Sequence, residues 1–154
     1  MNYIFSAIFL YFFLGFLLYI FQRRIVFNKS GHPGAPKDYN LDNTEEVYIK
    51  TEDNLKLLSW YHKGNNSLPL IVYFHGNSFH IGDRAYRIQR YIERNWSVLL
   101  VSWRGFVGNK GNPTEKNLYK DAEAVLKWIK NNTEFKFKEL VIYGESLGSG
   151  AAVE

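Results

Sequence analysis

The chain has 154 residues, no cysteine, and 19 Lys+Arg against 15 Asp+Glu, a formal net charge of +4. That length suits one globular domain, and the missing cysteine excludes disulfides and cysteine-ligated metal sites. The mild basicity fits an anionic membrane surface or plain solubility, so no nucleic-acid partner is expected.

The first predicted element is a membrane-spanning helix. Ile4 to Phe21 is an uncharged run of eighteen residues, which as a helix covers about 27 Å, close to a bilayer core. Tyr3 and Tyr19 fall near its two interfaces, and Arg23, Arg24 and Lys29 flank its carboxyl side. Met1-Asn2-Tyr3 lacks the basic start of a cleaved signal peptide, so the segment is read as an uncleaved anchor. By the positive-inside rule the flank places a single-pass protein with its soluble part in the cytoplasm. The anchor and basic flank occupy 1–27.

Residues 28–44, with Gly31, Pro33, Gly34 and Pro36, read as a linker or irregular lead-in. The stretches 45–50 and 55–62 are strand-like around Glu52-Asp53-Asn54, which predicts an antiparallel hairpin at the edge of a sheet. An apolar strand follows at 69–74 and ends in His75-Gly76-Asn77-Ser78. A helix is expected near 82–94, where Arg84, Arg87, Arg90 and Arg94 share one face. That stripe suits either solvent or anionic lipid headgroups.

Strand 97–102 comes next, then a glycine-rich turn (Gly108 to Pro113) without the phosphate-loop pattern. A helix near 115–131 carries Leu118, Ala122, Val125 and Ile129 on one apolar face. The final strand, 139–143, reads as buried and leads into Gly144-Glu145-Ser146-Leu147-Gly148-Ser149-Gly150. Strands alternating with helices predict a parallel α/β sheet with helices on both faces. No group has metal-ligand spacing, and neither cofactor nor metal is expected. Asn-x-Ser/Thr at Asn28, Asn65 and Asn131 is the chance yield of an asparagine-rich chain.

The G-x-S-x-G segment carries the chemistry. A serine hydroxyl is a weak nucleophile until a base takes its proton. Exposing it on a sharp strand-to-helix turn demands a sparsely populated backbone and small neighbours, which Gly144 and Gly148 supply. Ser146 is the candidate nucleophile. The backbone N–H groups of Leu147 and Asn77 are the candidate oxyanion donors. His75 is read as orienting its loop rather than as a base.

Tyr73-Phe74-His75-Gly76-Asn77, Val101-Ser102-Trp103-Arg104-Gly105 and the Gly144–Gly150 elbow resemble the first half of an α/β-hydrolase of the type tethered by an N-terminal membrane segment. Similar proteins carry an acidic residue in place of Ser102, and Ala-Gly-Asn in place of Ser78-Phe79-His80. The resemblance covers about Leu68 to Glu154. It implies a partial α/β-hydrolase fold over 45–154, namely a parallel sheet with an antiparallel N-terminal hairpin. It also implies cleavage of an ester, thioester or amide of a small molecule or lipid through an acyl-enzyme.

In such a fold the acid and histidine follow the serine. Only Leu147 to Glu154 follow here, and His32, His62, His75 and His80 all precede it. The chain is therefore expected to be truncated just after the elbow, inactive alone, and left with an apolar sheet edge. Two other readings stay open. One is a non-catalytic remnant of a split gene, or a fragment needing a separate C-terminal half. The other takes Gly144, Gly148 and Gly150 as the loop of an NAD(P)-binding short-chain dehydrogenase-like fragment.

Overall fold

The computed structural model describes residues 2–27 and 31–154, so Lys29 of the basic flank and Asn28 lie outside the described residues. Helix α1 (Asn2–Val26) runs past the apolar segment because Gln22, Arg23 and Arg24 are good helix formers and no breaker intervenes. Its apolar side chains are exposed, Phe9 by 71% and Tyr11 by 75%.

The segment 31–43 is irregular but packed. Leu41 is buried, and a short turn at Pro36–Tyr39 sets the Tyr39 ring 5.5 Å from that of Trp60. Strands β1 (Thr44–Lys50) and β2 (Lys56–His62) form the antiparallel hairpin, Thr44 opposite His62 and Lys50 opposite Lys56. Asn54, with φ 63°, takes the left-handed position in the turn.

Strands β3 (Leu70–Phe74), β4 (Ser97–Val101) and β5 (Leu140–Gly144) are parallel. β2 joins antiparallel to β4, and the sheet order is β1-β2-β4-β3-β5. This is not the 3-2-1-4-5-6 order of dinucleotide-binding folds.

Alternation along the strands sends side chains to two cores. Leu70, Val72, Phe74, Leu99 and Val101 pack under α3 (Glu115–Asn132) and α4 (Leu147–Val153). Ile71, Tyr73, Val98 and Leu100 pack with Ile88 of α2 (Ala85–Ile92). The predicted face of α3 is the buried one, and Thr114 caps the helix by accepting from the Asn117 N–H.

One expectation changes. The helix predicted at 82–94 is split, since Ile81–Arg84 is a separate 3-10 turn before α2. The apolar strand at 140–143 lies at the sheet edge, as its being the last predicted strand implies, with Val141 42% and Ile142 37% exposed. No strand flanks its outer side among the described residues.

One buried charge ties three elements together. Arg104, just after β4, donates from Nε to Asp121 Oδ1 of α3 (2.8 Å) and from its backbone N–H to Asp121 Oδ2 (3.0 Å). Its Nη1 reaches Asp53 Oδ2 of the hairpin turn at 2.7 Å. Asp121 is fully buried and Arg104 is 1% exposed. Removing one partner of such a pair strands the other charge out of water. Asp121→Ala is therefore expected to destabilise the chain by about 3–5 kcal/mol, read as a shift of the urea midpoint in detergent micelles.

Candidate active site

The carboxyl ends of β3, β4 and β5 bring together the loops that the sequence singled out. β5 ends at Gly144, the Glu145 N–H still donates to the Phe74 carbonyl at 2.9 Å, and α4 begins at Leu147. Ser146 sits in the turn between them with φ 50° and ψ −113°. Six non-glycine residues among those described have positive φ, and four are asparagines, which tolerate the left-handed region. Ser146 and Phe79 are the other two. For them such a backbone costs on the order of 1–3 kcal/mol and persists only where the surroundings enforce it.

The surroundings do enforce it. A Cβ on Gly148 would overlap the Phe74 carbonyl, and one on Gly144 would stand 2.5 Å from Ser149 Cα. The helix thus starts hard against the ends of both strands, and any side chain at either position would push it away. Gly76 closes the other side: a Cβ there would lie 3.3 Å from Ser146 Cβ. This places Asn77, the next residue, at the edge of the serine turn. Neither the Leu147 nor the Asn77 backbone N–H has a partner among the described residues. The Asn77 side chain is engaged elsewhere, donating from Nδ2 to the Val26 carbonyl at the end of α1 (2.5 Å).

Each histidine has a place, and among the described residues none hydrogen-bonds Ser146. His32 Nδ1 accepts from the Gly34 N–H, and His62 Nδ1 lies 3.3 Å from Thr44 Oγ1. His80 Nδ1 is 3.4 Å from Asp83 Oδ2. His75 is fully buried, with Nδ1 2.6 Å from the Gly76 carbonyl and its own carbonyl accepting from Trp103 Nε1 at 2.8 Å. The Nδ1–H must point at Gly76 for that contact to be a hydrogen bond. Burial, only partly opposed by this bond, pushes the imidazole down to about 4.

Sequence reasoning missed the group that joins the two loops. Arg84, expected in an outward stripe, is buried. Its Nη2 donates to Glu145 Oε1 (3.0 Å) and its Nη1 to the Ser78 carbonyl (2.8 Å). Tyr73 Oη donates to Glu145 Oε2 at 2.6 Å. Partial burial would raise the Glu145 carboxyl, but the bonds from Tyr73 and Arg84 outweigh it and hold it below the ordinary range. Burial and the Glu145 carboxylate both push the Tyr73 hydroxyl up. Arg84 thus clamps the 77–80 loop to the residue preceding Ser146. Arg90 and Arg94 keep the exposed positions the stripe implied, while Arg87 is half-buried with Nη1 3.9 Å from Glu145 Oε2.

A serine on a strained strand-to-helix turn, beside the loop after the neighbouring parallel strand, defines the class as the α/β-hydrolase fold. No protein-family model matches the chain. It is 32% identical over 146 residues to an uncharacterized protein of Mycobacterium tuberculosis, covering 90% of this chain and 51% of the relative. The alpha/beta hydrolase domain-containing protein WAV2 of Arabidopsis thaliana is 27% identical, with 86% and 46% covered. An uncharacterized membrane protein of Saccharomyces cerevisiae is 29% identical, with 88% and 50% covered. Among solved structures, an esterase of Pyrococcus furiosus superposes with a TM-score of 0.64 at 27% identity, covering 82% of this chain and 51% of that one. The chain belongs to the α/β-hydrolase superfamily, and it spans about half the length of the relatives it matches.

Two outcomes follow from this geometry. Folded His75 stays neutral down to about pH 4, whereas the unfolded chain protonates it near 6.5. Its contribution is complete above 6.5 and is lost as pH falls toward 4, by roughly 3 kcal/mol. Urea midpoints across that range should fall more steeply in the native chain than in His75→Asn. Arg84→Met keeps the apolar stem and removes the clamp, so amide exchange at 77–80 should rise several-fold while β3 and β4 stay protected.

Proposed function

We propose that this chain forms part of a membrane-anchored serine hydrolase in which Ser146 is the nucleophile. The observation that carries the reading is the backbone of Ser146, φ 50° and ψ −113°, held between two glycines that tolerate no Cβ. A strained serine backbone near two N–H groups without partners among the described residues is what a pre-organised nucleophile requires.

Ser146 Oγ attacks the carbonyl carbon of an ester while a base accepts its proton. The oxygen that gains charge is met by the Leu147 and Asn77 N–H groups. The alcohol leaves with a proton, and water then cleaves the acyl-enzyme to release the acid and restore the serine. The acid and histidine come from sequence corresponding to the half of the relatives that this chain does not span. An ester substrate is supported by the Pyrococcus neighbour being an esterase.

Anchoring is supported by α1, long and apolar enough to cross a membrane, and by the yeast relative's description as a membrane protein. Phe27, at the foot of α1, packs edge-on to Phe106 with ring centroids 6.3 Å apart. That contact argues for a retained helix rather than a removed leader. Arg23 and Arg24 favour a single pass with the domain on the cytoplasmic side.

A second reading, a chain that is non-catalytic until it meets a separate second half, is favoured by the exposed face of β5 and by histidines committed elsewhere. An alkyl fluorophosphonate probe tests the nucleophile and the source of its base. The chain alone is expected to stay unlabelled. Supplying the carboxyl half of a relative is expected to restore labelling that Ser146→Ala abolishes. Ser146-dependent labelling of the chain alone would overturn the outside base, and a folded but unlabelled complement would overturn the nucleophile.

A further inference from the structure

Where α1 meets the domain decides what can reach Ser146. We infer that the site draws its substrate from the bilayer. Its ester is that of an acyl lipid whose carbonyl lies at headgroup level, and the Phe79 loop rests in the membrane interface. This rests on the reading of Ser146 as nucleophile and adds the substrate class.

The end of α1 fixes the height. Tyr3–Val26 is 24 residues, about 36 Å of helix against roughly 30 Å of hydrocarbon. Arg23 and Arg24 in its last turn hold that end among the headgroups. The domain engages the same end directly. Asn77 Nδ2 bonds the Val26 carbonyl, Phe27 sits on Phe106, and Asn112 and Pro113 face Arg23 and Arg24 across a cavity of about 520 Å³. These contacts come from the loops after β3 and β4, so the carboxyl ends of the strands form the face turned to the membrane.

Ser146 is on that face. Through Gly76 and Asn77 it lies no more than about 15 Å from Val26, given ordinary bond lengths. A strand of five residues spans roughly 17 Å, so a site at the other end of the strands would stand about that much farther from the end of α1. The interfacial layer is several ångströms deep on each side of the hydrocarbon. A short approach therefore separates Ser146 from lipid ester carbonyls, whereas a freely soluble ester needs no such placement.

Phe79 gives an independent sign. It is 51% exposed beside the candidate oxyanion residues and has φ 61°. A large aromatic ring held outward on an unfavourable backbone is costly in water, and aromatic rings are at home in the membrane interface.

The absence of cysteine makes the test clean. Phe79→Cys and Ser67→Cys, the latter at the amino end of β3, are each labelled with a fluorophore, with the chain reconstituted in phosphatidylcholine vesicles. Part of the lipid carries a nitroxide near the acyl carbonyl. Quenching at position 79 is expected to be several-fold greater than at 67. Equal quenching at both, or none at 79, overturns the membrane-facing placement. A phosphatidylcholine photoreactive near its ester is expected to label peptides 75–80 or 145–147, and labelling confined to 2–26 overturns the substrate class. Neither readout needs turnover. Their failure leaves the Ser146 assignment standing, and a failed phosphonate label leaves them intact.

Discussion

A close approach of backbone to backbone governs this structure: α4 begins directly against the carbonyl end of β3, with only a hydrogen at position 148 between them. Three other features follow from that contact. β5 must run parallel to β3 in the register that sets Gly144 beside Phe74. The turn between β5 and α4 must be so short that Ser146 takes a positive φ. The loop after β3 must pass under the serine, which is possible only because residue 76 also lacks a side chain. Packing along the sheet supplies the driving force, but the absence of a methyl group at one glycine gives the turn its shape.

Two arginines then fix the loops around that turn, one on each side of the sheet. Arg104 joins the loop after β4 to the hairpin turn and to α3. Arg84 joins the loop after β3 to Glu145. A guanidinium suits both places because its planar fork can satisfy several acceptors at once while its stem lies among apolar groups. The two pairs differ in cost. Asp121 is wholly out of water, so its loss exposes an unpaired charge. Glu145 is only partly covered and carries an extra bond from Tyr73, so loosening that pair frees a loop without emptying a core.

Much of this was legible in the chain because it depends on local pattern. The periodicity of Leu118, Ala122, Val125 and Ile129 marked the buried face of α3, and the apolar runs marked β3 and β4. The elbow was legible because close approach restricts composition to glycine. Asp121 could have been found, since a charge three residues after Leu118 and four before Val125 falls within the apolar stripe and calls for a buried partner. Arg84 could not, because its role depends on where a 3-10 turn ends, and helical spacing places it with Arg87 and Arg90 instead. The exposure of β5 was legible only from topology, since no strand is read after it, whereas its run of Leu, Val, Ile and Tyr looks the same at the centre of a sheet and at its edge.

The pairing of β3 with β5 bears on the order in which the molecule is made. Leu70 lies opposite Leu140, 70 positions away in sequence, so their meeting costs the closure of a long loop before any contact rewards it. The hairpin, by contrast, pairs within a few residues, and β4 returns to β3 over a short helix. The docking of β5 is thus the step that topology makes late, and the strained turn at Ser146 exists only once it is complete. A chain that has collapsed but not yet closed this pairing carries Ser146, Leu147 and Asn77 and none of their geometry.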